Sequence, residues 1–378
     1  MGAMSRTEPL RVGVLGAGMI ATTGVGVLPN MVKLSDKARV VAVADPVSEL
    51  AESAAARFGI PRTYDGVDGL LSDDEVEAVV NLTPISVHGR TSLAVVRAGK
   101  HLATEKPLAT TMEDADAIIS EAATRGLTVV CSPPDALFPS YVEAGRLIAE
   151  GAIGKVAFAR VRSSHAGPGG GVNGWPADPS WFYQEGGGPL LDMGVYGIHE
   201  ITALLGPAKR VTAFAGITEP TRTVRGDGPY AGLEIEVTVA DNNLFMLDFG
   251  ESTFAVVDGT FNVQAAKSPK IELFGRRGTM NLDGLGLGNA VNIDVYRLDA
   301  LSGVDGWVEG TLPGSLRRAE GPVQDLGRAI LVEHLADCVA EGKHPVLSAE
   351  HARHALEIML KVTEAARTGR TLDLTTTF

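Results

Sequence analysis

Leu10-Arg11-Val12-Gly13-Val14-Leu15-Gly16-Ala17-Gly18-Met19-Ile20-Ala21 is the stretch on which the fold turns. Its first six residues have the β-branched, apolar character of a strand buried on both faces of a parallel sheet. Gly16 and Gly18 then let the backbone turn tightly and approach a pyrophosphate. A helix predicted to start near Met19 offers free N–H groups and a positive dipole end to the phosphates. Met19 and Ile20, inside this loop, are counted with the two glycines as cofactor-binding. A second apolar run over 39–44 ends in Asp45, close to the ~20-residue separation at which an acidic side chain takes the ribose hydroxyls of NAD. The same carboxylate repels a 2′-phosphate, and no Arg or Lys follows before Arg57, so the pattern favours NAD over NADP.

Working outward, strand-like runs over 10–15, 39–44, 76–82, 101–105 and 127–131 alternate with helical patterns over 46–58, 86–98 and 112–124. Alternation of this kind predicts an α/β domain, a parallel sheet with helices on both faces. Ligands of such sheets bind beyond the carboxyl ends of the strands, so Gly16, Asp45, Thr83 and Glu105-Lys106 are expected to share one crevice. Pro133-Pro134 blocks continuation of the last strand and marks the boundary, giving a dinucleotide-binding domain over 1–133 and a second domain over 134–378.

The second domain reads as a helix over 139–150, a strand over 156–164, a glycine-rich loop over 167–174 and a helix over 189–205. From 211 to 282 the pattern has period two with Gly-containing turns, including Ile235-Glu236-Val237-Thr238-Val239, and predicts antiparallel strands of one open sheet. The Gly- and Asp-rich region over 284–322 is expected to be loop, with at most a short strand over 291–298. Helices over 323–341 and 349–368, the first ended by Gly342 and the second capped by Ser348, are expected to pack back on the first domain.

Composition narrows the class. The chain has 378 residues, 45% of them hydrophobic, enough for a sizeable core in two domains. A formal charge of −13 argues against nucleic acid or an anionic membrane as partner. No apolar run approaches the ~20 residues of a membrane span. The stretch after Arg11 is too rich in glycine and threonine for a signal-peptide core, and cytoplasmic placement is expected. Two cysteines, Cys131 and Cys338, lack a CxxC partner and fit a reduced compartment; no His/Cys/Asp/Glu cluster has metal-ligand spacing.

Glu105-Lys106-Pro107 ends the fourth run, and a lysine beside a dinucleotide points to redox chemistry. With it stand Thr83-Pro84 followed by His88, and Gly186-Gly187-Gly188-Pro189-Leu190-Leu191-Asp192-Met193-Gly194. Together with the glycine loop and Asp45, this series resembles the Gfo/Idh/MocA family, the glucose–fructose oxidoreductase and inositol dehydrogenase relatives, over nearly the whole chain. The resemblance implies a Rossmann domain, a second domain with an open, mainly antiparallel sheet, a nicotinamide cofactor, and a sugar, glycoside or cyclitol as substrate. It also implies a homodimer or homotetramer formed through the uncovered sheet face, and a cis Lys106-Pro107 bond.

Oxidising a secondary alcohol requires that its hydroxyl proton depart to a base, and reduction needs the same group as an acid. Lys106 is the first candidate, since the resemblance places it near both the nicotinamide ribose and the substrate hydroxyl. Asp192 and Tyr196 stand at i and i+4, on one face of a regular helix, with His199 three residues further on. Many relatives carry histidine where this chain has Tyr196, so Lys106, Tyr196 and His199 all remain candidates for the proton, with Asp192 orienting or balancing them, or only capping its helix. His88 serves either the cofactor side or helix packing. His165 either hydrogen-bonds a sugar hydroxyl or plays a structural part. Trp175 and Trp181-Phe182-Tyr183 either stack on a sugar ring or pack their loop.

Two enzyme classes fit these residues: an NAD-dependent oxidoreductase acting on a ring secondary alcohol, and a glycosidase or lyase that uses bound NAD transiently in a redox-neutral cycle. A non-catalytic NAD sensor is disfavoured by Lys106, Asp192 and Tyr196 occurring together.

Overall fold

Val12 and Val14 are fully buried, and the strand that carries them, β1 (Leu10–Leu15), lies in the middle of a parallel sheet. The computed structural model describes residues 8–283, 292–308 and 326–378, which divide into two compact units. The first comprises residues 8–138 and 326–356; the second comprises 139–283, 292–308 and 357–378.

In the first unit β1 is joined by β2 (Ala38–Ala44), β3 (Thr63–Tyr64), β4 (Ala78–Asn81), β5 (His101–Thr104) and β6 (Val129–Cys131) in the order β3-β2-β1-β4-β5-β6, all parallel. The strand order reverses between β1 and β4, the switch point at which ligands bind in such sheets. Helices Ser48–Phe58, His88–Arg97 and Met112–Arg125 follow β2, β4 and β5. Thr111 caps the last, its side chain accepting the Asp114 N–H at 3.2 Å.

The helix expected to start near Met19 does start there. The helix there is a single turn, Met19–Thr22, and the chain resumes helical form only at Val27–Asn30. Thr22 and Thr23 hydroxyls bond back to the carbonyls of Gly18 and Met19, which competes with helix continuation. Gly26 then folds against the turn so closely that a β-carbon would lie 2.7 Å from the Ile20 carbonyl oxygen.

The C-terminal part of the unit begins with the turn Gly327–Ala329 and the helix Ile330–Glu341, which Gly342 ends in the left-handed conformation. Residues 323–325 of the expected helix lie outside the described residues. Beyond it, Leu347 accepts the Cys131 N–H at 3.0 Å and Ser348 bridges Val130, so this segment covers the outer edge of β6. Ser348 also caps the helix Ala349–Thr368 by accepting the His351 N–H at 3.1 Å. Among the described residues no helix is long and apolar enough to cross a membrane.

The second unit is built on a nine-stranded mixed sheet. Its members are β7 (Val156–Arg162), β8 (Arg210–Gly216), β11 (Asn242–Gly250), β12 (Thr253–Thr260), β13 (Ile271–Gly275), β14 (Gly278–Asp283), β15 (Asn292–Leu301), β16 (Val304–Val308) and β17 (Leu372–Asp373). They run in the order β16-β15-β14-β13-β7-β12-β11-β8-β17, antiparallel except for the β7–β12 pair. The short strand expected over 291–298 is found as β15, which runs on to Leu301, whereas β16 falls where loop was expected; the rest of 284–322 lies outside the described residues. The period-two run at Ile235 does not join the large sheet: β9 (Thr221–Thr223) and β10 (Glu234–Glu236) pair as a separate ribbon, because Ile235 and Val237 bury themselves in a local cluster with Tyr183, Val224 and Phe261.

Burial alternates along the large sheet. Val211, Ala213, Phe245, Leu247, Ala255, Val257, Ala159 and Val161 face inward, whereas Phe214, Leu244, Met246, Phe254, Val256 and Phe158 remain exposed on the other face. The helix Val195–Leu205 is joined to the sheet by an ion pair between Glu200 and Lys270, the residue before β13, and both are buried. Lys270→Met strands the Glu200 carboxylate in the core and is expected to cost about 3–5 kcal/mol of unfolding free energy in a urea titration, while Glu200→Leu together with Lys270→Met recovers most of that loss. Equal losses in the single and double variants would show that shape, not charge, governs the contact.

Candidate active site

Position 16 shows why the loop after β1 needs glycine. Its φ is +99°, and a β-carbon there would stand 2.8 Å from the carbonyl oxygen of Leu82, at the end of β4. Around Gly18 the opposite holds: nothing lies within 4 Å of where its β-carbon would be, and no side chain caps the turn that follows. The first N–H groups of that turn are therefore not occupied by a cap, and open space lies beside Gly18. That combination fits a dinucleotide pyrophosphate. Met19 and Ile20 are exposed beside it, whereas Ala21 is fully buried and lets the turn pack on the sheet.

Asp45 follows β2 and is locked to the loop, its Oδ2 accepting the Ala17 N–H at 2.8 Å and its Oδ1 the Val47 N–H at 2.9 Å. Each carboxylate oxygen has a second lone pair, so the ribose hydroxyls can still be bound. Buried to 7% exposure, this anion is fixed beside the glycine loop.

Beyond β4, Asn81 organises the backbone. Its Oδ1 accepts from the Thr83 N–H and hydroxyl, at 3.2 and 2.7 Å, while its amide nitrogen donates to Thr91 and Ser92. Pro84 leads into a short turn and then to His88, which is 1% exposed. The His88 ring joins two loops: Nε2 meets the Thr83 carbonyl at 2.6 Å and Nδ1 the Pro107 carbonyl at 2.8 Å. Burial pushes its pKa below the ordinary histidine value, against the pull of both carbonyls and of the Glu105 charge. His88 thus holds the Thr83 loop to the lysine loop.

Glu105 and Lys106 follow β5, and the Lys106-Pro107 bond is cis, as expected. Glu105 is buried. Its Oε1 accepts from Arg328 Nη1 at 2.6 Å and its Oε2 from the Lys106 N–H at 3.2 Å. Burial alone would raise its pKa; the charges of Arg328 and Lys106, with these hydrogen bonds, hold it below the usual carboxylate value. Arg328 was not among the sequence candidates. It stands 223 residues from its partner in a segment without a motif, so no local signal pointed to it.

In the second unit, the helix after the triple glycine carries Asp192, Tyr196 and His199. It opens with a π turn, Leu190–Gly194, before the α-helix Val195–Leu205. Ser163, just beyond β7, explains the wide turn: its hydroxyl donates to the Met193 carbonyl and accepts the Gly197 N–H at 3.0 Å, occupying both ends of one α-helical bond. Gly197 permits this approach, since a β-carbon there would come within 2.9 Å of Ser163 and Val161. Asp192 therefore lies inside the widened turn and Tyr196 in the regular helix that follows it. Tyr196 is half-buried and His199 buried.

His165 faces this helix. Its Nδ1 accepts the Gly167 N–H at 2.7 Å, so in the neutral ring the proton sits on Nε2, which points at Asp192 Oδ2 from 3.9 Å. That gap is too long for a direct hydrogen bond. Tyr183 is corrected as a substrate candidate: its ring is in the local core at 2% exposure, its hydroxyl donates to the Pro168 carbonyl at 2.7 Å, and burial pushes its pKa up to about 12. Trp181 keeps an exposed surface while stacking on Phe182 at 3.8 Å, and Trp175 meets Phe182 edge-on. Among the described residues no group of three or more His, Cys, Asp or Glu side chains is placed to hold a metal.

Known proteins share both halves of this arrangement. Residues 10–132 match the family model described as an oxidoreductase family with an NAD-binding Rossmann fold, and residues 141–281 match the GFO/IDH/MocA C-terminal domain. A Rhizobium meliloti protein described as an uncharacterized oxidoreductase is 30% identical over 72% of this chain and 74% of its own length. The scyllo-inositol 2-dehydrogenase (NAD(+)) of Bacillus subtilis is 24% identical over 97% of this chain and 96% of its own. In fold, the chain resembles a levoglucosan dehydrogenase solved with NADH, with a TM-score of 0.79, 22% identity and coverage of 98% and 100%.

Proposed function

Because the chain belongs to the Gfo/Idh/MocA family of NAD-binding oxidoreductases, we propose that it interconverts a ring secondary alcohol and ketone of a sugar, glycoside or cyclitol. One observation carries this reading. The loops after β2, β1, β4 and β5, neighbours in the sheet, bring Asp45, the glycine loop, Thr83-Pro84 and Glu105-Lys106 to the same carboxyl edge, so the lysine stands in the row of dinucleotide-binding loops. The B. subtilis relative, named for a cyclitol and NAD, supports the substrate class.

Gly16, Gly18, Met19 and Ile20 hold the pyrophosphate, Asp45 the adenosine ribose, and Thr83, Pro84 and His88 shape the crevice. Bound NAD supplies the hydride acceptor. Lys106 takes the hydroxyl proton as the carbonyl forms and returns it in reduction. Tyr196 shares that proton, with His199 as the reserve donor and Asp192 balancing charge. His165 and Asp192 together fit a neighbouring substrate hydroxyl, and Trp181 offers its exposed face to the ring. Both cysteines are free and buried, which accords with the cytoplasmic placement we propose.

We further propose a homodimer or homotetramer formed through the exposed sheet face. Across that face Phe214 stands opposite Leu244, Met246 opposite Val256, and Phe158 opposite both Phe254 and Phe274, stacking on Phe274 at 4.4 Å. A continuous apolar row of this kind on an uncovered sheet calls for a partner surface.

Three outcomes test these readings. Lys106→Ala is expected to lower turnover by about 10²–10⁴-fold with NAD affinity kept; Tyr196→Phe should lower it too, the two effects being less than additive. Turnover should be followed as net NADH formation across sugars and cyclitols; a retained cofactor with no net absorbance change would point instead to the redox-neutral alternative. Calorimetric titration should find NADP at least about tenfold weaker than NAD, since repulsion at Asp45 amounts to up to about 4 kcal/mol at an effective dielectric near 20. Equal affinities would remove the role given to Asp45. Finally, Met246→Lys with Phe254→Lys is expected to reduce the mass seen by light scattering to that of one chain, and an unchanged oligomer would place the interface elsewhere.

A further inference from the structure

Ser163 is fixed to the sheet but acts on the helix. It follows β7 and is 1% exposed. Its N–H donates to Asp258 Oδ1 at 2.7 Å, and the Ser164 hydroxyl donates to the same oxygen. Asp258 belongs to β12, where it stands opposite Arg162, the residue before Ser163. From this anchorage the Ser163 hydroxyl enters the helix, accepting the Gly197 N–H at 3.0 Å and donating to the Met193 carbonyl. Those are the two groups that a plain α-helix would join to each other.

The wedged turn is pressed onto the sheet. Gly194 packs on β12 so closely that a β-carbon on Gly259 would lie 3.3 Å from its Cα. Across from the turn stands His165, two residues after Ser163, with Nε2 3.9 Å from Asp192 Oδ2. One stretch of chain, 163–165, therefore carries both the wedge and the ring that Asp192 faces. Without the hydroxyl, the Met193 carbonyl and the Gly197 N–H can close on each other, which leaves neither of them unsatisfied. Asp192 immediately precedes Met193 and is carried along with that rung. Removing the wedge thus alters shape at small cost in stability.

Resting on the reading of Asp192 and His165 as substrate contacts, we propose that Ser163 is a positioning residue for substrate binding: its sheet-held hydroxyl keeps the Met193–Gly197 rung open and so sets the separation of Asp192 from His165. Buried as it is, Ser163 has no surface to offer a substrate. Its influence passes through Asp192 and is lost where position 192 has no carboxylate to place.

Two measurements on Ser163→Ala test this. In its crystal structure, grown under the same conditions as wild type, the Gly197 N–H is expected to meet the Met193 carbonyl directly, at about 2.9 Å. The Asp192–His165 separation should then differ from wild type by more than about 0.5 Å, the tolerance within which a site holds its geometry. In kinetics with a sugar or cyclitol that the enzyme oxidises, kcat/KM should fall about ten- to hundredfold, chiefly through KM, with NAD affinity kept. Added to Asp192→Asn, the same substitution should cost less than about threefold, whereas a merely structural defect would cost as much in either background. Ser163→Thr, which keeps the hydroxyl, should stay within about threefold of wild type. If Ser163→Ala does not fold, Ser163→Cys, which fills the space with a poor hydrogen-bonding group, is read in the same two measurements. An open rung with the wild-type separation in the variant, or a full additional loss on top of Asp192→Asn, overturns the proposal. The crystal structure requires no substrate, so a failure to find an oxidisable sugar or cyclitol would count against the dehydrogenase reading and not against this one.

Discussion

The Leu82 carbonyl stands where a side chain at position 16 would have to be, and the cofactor half of the molecule is arranged around that exclusion. Only glycine, at φ +99°, lets the chain leaving β1 cross the end of β4. The crossing brings Ala17 to Asp45, which turns an acidic residue at a strand end into a fixed part of the phosphate loop. It also sets β1 against β4 at the switch point, so that the next loops outward, Thr83-Pro84 and Glu105-Lys106, open on the same edge. His88 then stitches those two loops together through their carbonyls.

Much of this was legible because it depends on neighbours in the chain. The strand over 10–15 is found within its expected bounds, and the second strand begins one residue earlier than expected, since burial on both faces writes itself as an unbroken apolar run. Thr63–Tyr64 was invisible, because two residues carry no period. The helix start near Met19 was legible, whereas its end after one turn was not, because the back-bonding threonines and the close fold at Gly26 are local-polar and tertiary effects. Ile235 and Tyr183 failed for a shared reason. Both have residue types suited to a sheet or a sugar face, yet they satisfy each other in a small core that only the folded chain defines.

The site residues divide along the same line. Gly16, Asp45 and Lys106 could be placed by order and spacing, whereas Arg328, Asn81 and Ser163 act through contacts that spacing does not announce. Two ion pairs share a feature: Glu105–Arg328 and Glu200–Lys270 each join an element bearing candidate site residues to a segment remote in sequence. Pairs of this kind are weak evidence for stability in themselves. Their worth here lies in holding one loop and one helix in a single arrangement.

The wide turn at Leu190–Gly194 has a consequence for comparing this chain with others. Because the Ser163 hydroxyl occupies a rung of the helical ladder, the helix holds one residue more than its turns account for, and Asp192 and Tyr196 are separated by part of that widened turn. Counting four residues is then not the same as counting one turn. A protein that lacks the intruding hydroxyl and closes the ladder as a plain α-helix would bring a neighbouring residue to the direction Asp192 takes here. Matching the two by sequence spacing would pair side chains that look different ways, and the proper yardstick for equivalence on this helix is direction in space rather than position in the motif.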